Sequence, residues 1–235
     1  MVLNTSVGQG LPSPITQKIF KLHCLNPPTA PVTVLIIILT VIVSYLGFNS
    51  EKTLQNCMNH PYSVVHRNEY FRMVTSGFVH RDWWHLIFNM ISLYYFGSVV
   101  EMMLKDRYGS SGNYIYGLAY IVAIILSDIP FTIEKRNQNA YYSYGASGAT
   151  SAMMLASVIL SPMSKICLYF VICLPAVVFA LLFVGYSLYG SRARNEDGVN
   201  HSAHFYGALL GILFIIIAVP DSFGIFLTEV TNFRF

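Results

Sequence analysis

Charge is what this sequence has least of. Of 235 residues, 14 are Lys or Arg and 11 are Asp or Glu, 11% in all, against 54% hydrophobic. That balance is far from the usage of soluble globular domains and points to a membrane protein. The positive charges are scattered through short polar connections with no basic stripe, which gives no ground for nucleic acid as a partner. Cysteine is scarce too: Cys24, Cys57, Cys167 and Cys173 are too few and too scattered for a disulfide framework. Residues 1–30 are polar and contain proline, so a cleavable signal peptide, which needs an apolar core directly after a basic start, is not expected. Several chemistries lack their motifs. There is no His-Glu-x-x-His, and His80/His85 with His201/His204 offer no acidic or thiolate third ligand at a workable spacing. Metal catalysis is therefore not expected. Internal repeats and low-complexity tracts are absent as well.

What the chain does have is long apolar runs. Crossing a hydrocarbon core of about 30 Å takes about 20 helical residues at about 1.5 Å each. Six runs qualify: Pro31 to Phe48, Trp84 to Leu104, Tyr114 to Ile133, Gly145 to Ser161, Ile166 to Tyr189, and Ala203 to Val219. The expected fold is an all-α polytopic membrane protein, a six-transmembrane-helix bundle with both termini on one side of the lipid bilayer. Residues 1–30 form an N-terminal segment, 31–220 the six-span domain and 221–235 a short C-terminal tail. The longest connection, 49–83, contains Tyr70-Phe71-Arg72-Met73-Val74 and Phe78-Val79, a mixture suited to lying in the membrane interface. Lys105-Asp106-Arg107 and Ser161 to Lys165 read as tight turns. Loop cations divide almost evenly between the two sides, so the positive-inside rule does not set the orientation.

Ionisable and polar residues at membrane depth are costly and mark function by default. In the fourth run, Tyr144-Gly145-Ala146-Ser147-Gly148-Ala149 places a hydroxyl among small residues that let another helix come near. Taken alone, such a stretch is most often a packing contact, and it is not the soluble hydrolase elbow, whose second glycine stands two residues after the serine. In the sixth run His204, Gly207, Ala208 and Gly211 fall at i, i+3, i+4 and i+7, one stripe of a helix. Packing that stripe against the Gly145 to Gly148 region brings an imidazole toward Ser147, within reach for general-base chemistry. His85 and Asn89 are four apart, on one face at the start of the second run, where they serve either as donors to an oxyanion or as bridges between helices. His80 faces elsewhere and supports the loop. No Asp or Glu is expected deep in any span, and Glu101 reads as a loop anchor, which makes Ser147 and His204 a dyad rather than part of a triad.

In this order, His80-x-x-x-x-His85-x-x-x-Asn89, Gly145-x-Ser147-Gly148 and Ala203-His204-x-x-Gly207-x-x-x-Gly211 resemble the rhomboid intramembrane serine proteases, over about Pro31 to Val219. The flavour of residues 144–152 and 200–205 is similar to bacterial six-span members, which implies the bacterial inner membrane, with a eukaryotic endomembrane as the alternative. The resemblance implies a rhomboid-like fold, Ser147 as nucleophile, His204 as base, and His85 and Asn89 with the Ser147 amide as oxyanion donors. Gly207 and Gly211 match the family's helix-packing glycines, and no cofactor is implied. It further implies endoproteolysis of single-span membrane proteins, cytoplasmic termini and an active site opening to the outer face. Two positions depart from the pattern: Phe71-Arg72 stands where many members have Trp-Arg, and Ser151 stands where well-known members stack a tyrosine on the histidine. Two other function classes remain. A catalytically silent rhomboid-like binding protein would typically lack the serine or the histidine. A small transporter would show substrate flux in liposomes and no serine-directed labelling. Asn4-Thr5-Ser6 and Asn200-His201-Ser202 match the glycosylation sequon and are discounted on position.

Overall fold

The computed structural model describes residues 30–168, 172–193 and 199–232; the expectations for residues 1–29, Cys24 among them, for 169–171 of the fifth run, for 194–198 and for 233–235 of the tail fall outside them. Helix α1 (Pro31–Asn49) is followed by three short helices in the long connection, α2 (Glu51–Cys57), α3 (Pro61–His66) and α4 (Arg72–Thr75). Then come α5 (Trp83–Tyr108), α6 (Ser111–Lys135), α7 (Ser147–Leu160), the hairpin β1 (Lys165–Leu168) and β2 (Ile172–Pro175), α8 (Ala176–Ala193), α9 (His201–Ala218) and α10 (Ser222–Thr231). Helices α1, α5, α6, α8 and α9 are each long and apolar enough to cross a bilayer. The shorter α7 is enclosed by the others, with every residue from Gly148 to Leu160 buried. A helix wrapped in protein need not match the lipid thickness by itself, so a fourteen-residue helix can hold the centre of the bundle. The molecule is a polytopic helical bundle.

Helix α1 shows how the bundle is held. Its buried face is Thr33, Ile36, Thr40, Ser44 and Gly47, mostly small or polar, while Val34, Leu35, Ile38, Leu39 and Ile42 face outward. In water this arrangement would expose a large apolar patch; in lipid it is favourable, because small residues allow close helix contact and large ones meet the acyl chains. Pro31 opens the helix, where its missing N–H costs nothing. The remaining free N–H groups are met by Glu101, which is fully buried and accepts from Val32 N at 2.9 Å, Thr33 N at 2.8 Å and Thr33 Oγ1 at 2.7 Å. The Thr33 hydroxyl also bonds the Tyr116 hydroxyl at 2.9 Å, joining α1, α5 and α6. Glu101 is therefore a helix cap supplied from another helix, not the loop anchor expected from its position near the end of the second run.

A further expectation is corrected. The fifth apolar run does not begin as a helix at Ile166: Lys165–Leu168 and Ile172–Pro175 pair as two antiparallel strands, and α8 starts at Ala176. The β-branched Ile166 and Ile172 suit a strand, Pro175 closes it, and Ser164 and Pro162 carbonyls accept from Ala176 N and Val177 N to seat the start of α8. A disulfide joins Cys167 to Cys173 across the hairpin, so the cysteines are not all single, although one staple across six residues is not a framework. At the other end of the chain the expected tail contains α10, reached at its start by Arg107, which donates to Asp221 at 3.5 Å.

The long connection is ordered by Arg72. Its guanidinium donates to the carbonyls of Gln55, Asn56 and Met58 at 2.7, 3.0 and 3.2 Å and pairs with Glu69, so it caps the C-terminal end of α2. Tyr70 and Phe71 remain exposed beside it. This fixes Asn59, whose N–H and C=O exchange two 2.9 Å bonds with Ser143, immediately upstream of α7.

Candidate active site

The approach to α7 is a short loop pinned at three of its residues by the long connection between α1 and α5. Ser143 is held by Asn59, Gly145 N donates to the Ser76 carbonyl at 2.8 Å, and Ala146 N donates to His80 Nε2 at 3.3 Å. Because His80 Nε2 accepts, its proton sits on Nδ1, which faces the Ser44 hydroxyl at 2.9 Å; Ser44 in turn donates to the Phe78 carbonyl at 3.0 Å. His80 is fully buried. Burial above all, with the neighbouring His85, pushes its pKa down to about 3, against a smaller upward pull from Asp82, and the ring stays neutral. The expected support of the loop by His80 is thus a direct bond to the residue before Ser147.

Gly145 has φ 117°, and a Cβ there would lie 2.6 Å from His85 Cε1. Glycine is required both by the backbone conformation and by the imidazole against it. Ser147 follows as the first residue of α7, half-buried. Ala146 before it supplies no side-chain cap, so the opening N–H groups of the helix are left for whatever lies at Ser147. A cavity of about 10 Å³, room for about one water, is lined by Ser147, Gly148, Ser127, Asp128, Asn200 and Ala203, among others.

Helix α9 meets α7 backbone to backbone. A Cβ on Gly207 would overlap the Gly148 carbonyl, lying 2.9 Å from its carbon and 3.1 Å from Gly148 Cα, and one on Gly211 would overlap the Ala152 carbonyl. A Cβ on Gly148 would meet Ser127 Oγ and come to 3.4 Å from the Ala203 carbonyl. The neighbours of Ser147 and His204, Gly148 and Ala203, are therefore in contact, which sets the two side chains at adjoining helix starts. His204 is half-buried, with the Phe183 ring of α8 stacked on it at 5.8 Å and 24°. Ser151 donates to the Ser147 carbonyl at 2.7 Å. An aromatic thus covers the histidine, from α8 rather than from α7.

His85 and Asn89 lie on α5, and the Asn89 amide donates to the His85 carbonyl at 2.8 Å. His85 N donates to Asp82, the cap of α5. His85 reaches the loop at Gly145; Asn89 is buried one turn below.

One expectation about the site is overturned. Asp128, in the last third of the third apolar run, is a buried acidic residue within a span, and it lines the Ser147 cavity. Asn59 Nδ2 donates to one carboxyl oxygen; Ser143 Oγ and Asn200 Nδ2 donate to the other at 3.0 and 2.7 Å. Asn200 caps α9, accepting from Ala203 N at 3.1 Å and from the Ser202 hydroxyl at 2.8 Å. Its amide nitrogen is thus committed within the site, in keeping with the discounted sequon. Asp128 and Phe183 carry no local motif, and only the Asn-x-x-Ala-His spacing of an N-cap could have singled out Asn200.

The Rhomboid domain family model matches residues 67–221. Among proteins of known description, the chain is 27% identical over 194 residues, 74% of its own length and 53% of the relative's, to RHOMBOID-like protein 12, mitochondrial, of Arabidopsis thaliana. It is 30% identical over 144 residues, 60% of this chain and 40% of the relative, to Rhomboid protein 1, mitochondrial, of Saccharomyces cerevisiae. Rhomboid-like protein 11, chloroplastic, of Arabidopsis thaliana matches at 28% over 156 residues, 62% of this chain and 51% of the relative. The chain spans about half the length of these relatives. Their names are organellar, and the expected bacterial subgroup and bacterial inner membrane find no support among them.

Proposed function

Since the chain belongs to the rhomboid family, an integral membrane fold generally built for proteolysis within the bilayer, we propose that it is a serine endopeptidase acting through Ser147 and His204. The observation that carries this reading is the Gly148–Gly207 contact, which brings the starts of α7 and α9 together with Ser147 beside one glycine and His204 one turn before the other. In the proposed reaction His204 takes the Ser147 proton as Ser147 Oγ attacks a peptide carbonyl, then gives it to the leaving amine. A water delivered to the same place hydrolyses the acyl-enzyme, with His204 again as base. The oxyanion is met by the N–H groups at the uncapped start of α7, with His85 and Asn89 as side-chain donors. Phe183 keeps the imidazole in plane. Residues 31–220 form the protease domain, and no cofactor takes part.

The substrates are single-span membrane proteins. A helix hides its carbonyls in its own hydrogen bonds, so the segment to be cut must unwind, which favours substrates with Gly, Pro or polar residues in the span. Replacing those residues by Leu should protect a substrate; equal cleavage of an all-Leu span would refute selection by unwinding. The relatives' names favour an organellar membrane over the bacterial one. The experiment is to express the parent and Ser147→Ala side by side and compare membrane-protein fragments by mass spectrometry. Fragments present only with the parent support the proposal and identify substrates. Identical fragment patterns would leave the chain a rhomboid-fold binding protein.

A further inference from the structure

We propose that Asp128 is a positioning residue that fixes Ser147 and His204 relative to one another, by clamping the loop before α7 and the cap of α9 to a single carboxyl group. The proposal rests on the serine-protease reading of those two residues.

Oδ1 of Asp128 receives two donors that belong to the two halves of the site. Ser143 Oγ, at 3.0 Å, stands four residues before Ser147 on the pinned loop. Asn200 Nδ2, at 2.7 Å, stands four residues before His204 and caps its helix through Ala203 N. The two donors also touch each other, Asn200 Nδ2 to Ser143 Oγ at 2.9 Å, closing a three-membered network. Oδ2 receives Asn59 Nδ2, and Asn59 is the residue bridged to the Ser143 backbone; the same Nδ2 lies 2.9 Å from Thr132 Oγ1, one turn along α6 from Asp128. Gly148 and Gly207 set how closely α7 and α9 approach. The Asp128 network lies at the helix starts and ties the loop leading to Ser147 to the cap of the His204 helix. A buried network of this kind has few alternative arrangements, since each broken bond leaves a polar group without water.

The clamp requires acceptors at Asp128, and asparagine can supply them. Its carbonyl oxygen would keep Ser143 and Asn200, while its amide would face Asn59, whose own Oδ1 is buried without a hydrogen-bond partner and can turn to accept. Asn200→Ser tests the other arm, because serine caps a helix as well as asparagine does but has no amide to reach Asp128.

The test measures kcat and KM of the purified full chain on a single-span substrate in mild detergent, with melting temperatures, for the parent, Ser147→Ala, Asp128→Asn, Asp128→Ala, Asn200→Ser and the double variant Asp128→Ala/Asn200→Ser. Asp128→Ala and Asn200→Ser should each lower kcat about tenfold or more with KM unchanged, as misplacement of reacting groups does. The double variant should be no slower than the slower single, and Asp128→Asn should stay within about threefold of the parent. Parental kcat in folded Asn200→Ser, additive losses in the double variant, or an Asp128→Asn loss as deep as that of alanine would each overturn the clamp. Should Asp128→Ala fail to fold, Asn200→Ser and Asp128→Asn decide the matter. Cleavage by Ser147→Ala, or none by the parent, would refute the protease reading itself; an inactive Ser147→Ala beside a parental Asn200→Ser refutes only the clamp.

Discussion

Gly207→Ala should cost this protein most of its activity although alanine is the best helix former and touches no substrate. The β-carbon would lie 2.9 Å from the Gly148 carbonyl carbon, and closer still to its oxygen, where carbon atoms settle at about 3.5 to 4.0 Å. Both atoms are backbone in helices, so neither can swing away, and relief requires α9 to move from α7 by roughly 1 Å. Overpacking of this order costs about 1 to 3 kcal/mol in stability, whereas a misplacement of about 1 Å at reacting groups costs about 100-fold in rate. Activity should therefore fall much further than stability, and Gly207→Val should fall further on both. The assay pairs cleavage of a single-span substrate with a detergent melting curve, and Gly185→Ala serves as the control. Gly185 lies on α8 with nothing within 4 Å of an added Cβ, so that variant should keep its rate and gain up to about 1 kcal/mol of helix propensity. Folded Gly207→Ala protein with the parental rate would show that this glycine contact does not set the catalytic geometry.

Other consequences follow from single contacts. Phe183→Ala should lower kcat by up to about tenfold, the rate equivalent of an aromatic stack of about 0.5 to 1.5 kcal/mol, and Phe183→Tyr should restore it; an unchanged rate in the alanine variant would remove the Phe183–His204 stack from the mechanism. Glu101→Ala should destabilise the bundle by about 1 to 3 kcal/mol, as leaving buried donors without an acceptor does, with the kcat of the remaining folded protein unaltered, and a melting temperature equal to the parent's would contradict the capping of α1. His80, with its folded pKa at about 3 against 6.5 unfolded, is neutral in the native state while the unfolded chain takes up a proton below pH 6.5. The stabilisation by neutral His80 is thus complete above pH 6.5 and lost progressively as pH falls toward 3. His80→Gln should flatten the acid limb of a melting-temperature profile, and an unchanged limb would assign it to other groups.

The bundle was legible because its residues carry the signal locally. Long apolar runs and the i, i+3, i+4, i+7 stripe from His204 to Gly211 are periodic features, and the structure places that stripe where its small residues suggest, on α7. The start of α8 was not legible, since Ile166 to Pro175 is as apolar as a span and only β-propensity and the terminal proline mark it as a hairpin. Asp128 stands within the third apolar run, where an acidic residue is itself a signal, but its partners Asn59, Ser143 and Asn200 lie 69, 15 and 72 residues away, so nothing near it in sequence indicates how its burial is satisfied. Glu101 was misread for the same reason, its donors Val32 and Thr33 being 69 and 68 residues distant. The cover over His204 likewise comes from Phe183 on another helix, where the local spacing offered only Ser151.

The central claim is that Ser147 is a nucleophile activated by His204, and covalent labelling reads this without knowledge of the natural substrate. The purified chain is treated with a fluorophosphonate, which traps activated serines, and the adduct is located by peptide mass spectrometry. One phosphonylated residue, Ser147, is expected, with labelling abolished in His204→Ala and retained in a folded Gly185→Ala control. An adduct at Ser147 that forms equally fast in His204→Ala, or a labelled serine elsewhere with Ser147 unmodified, would contradict it.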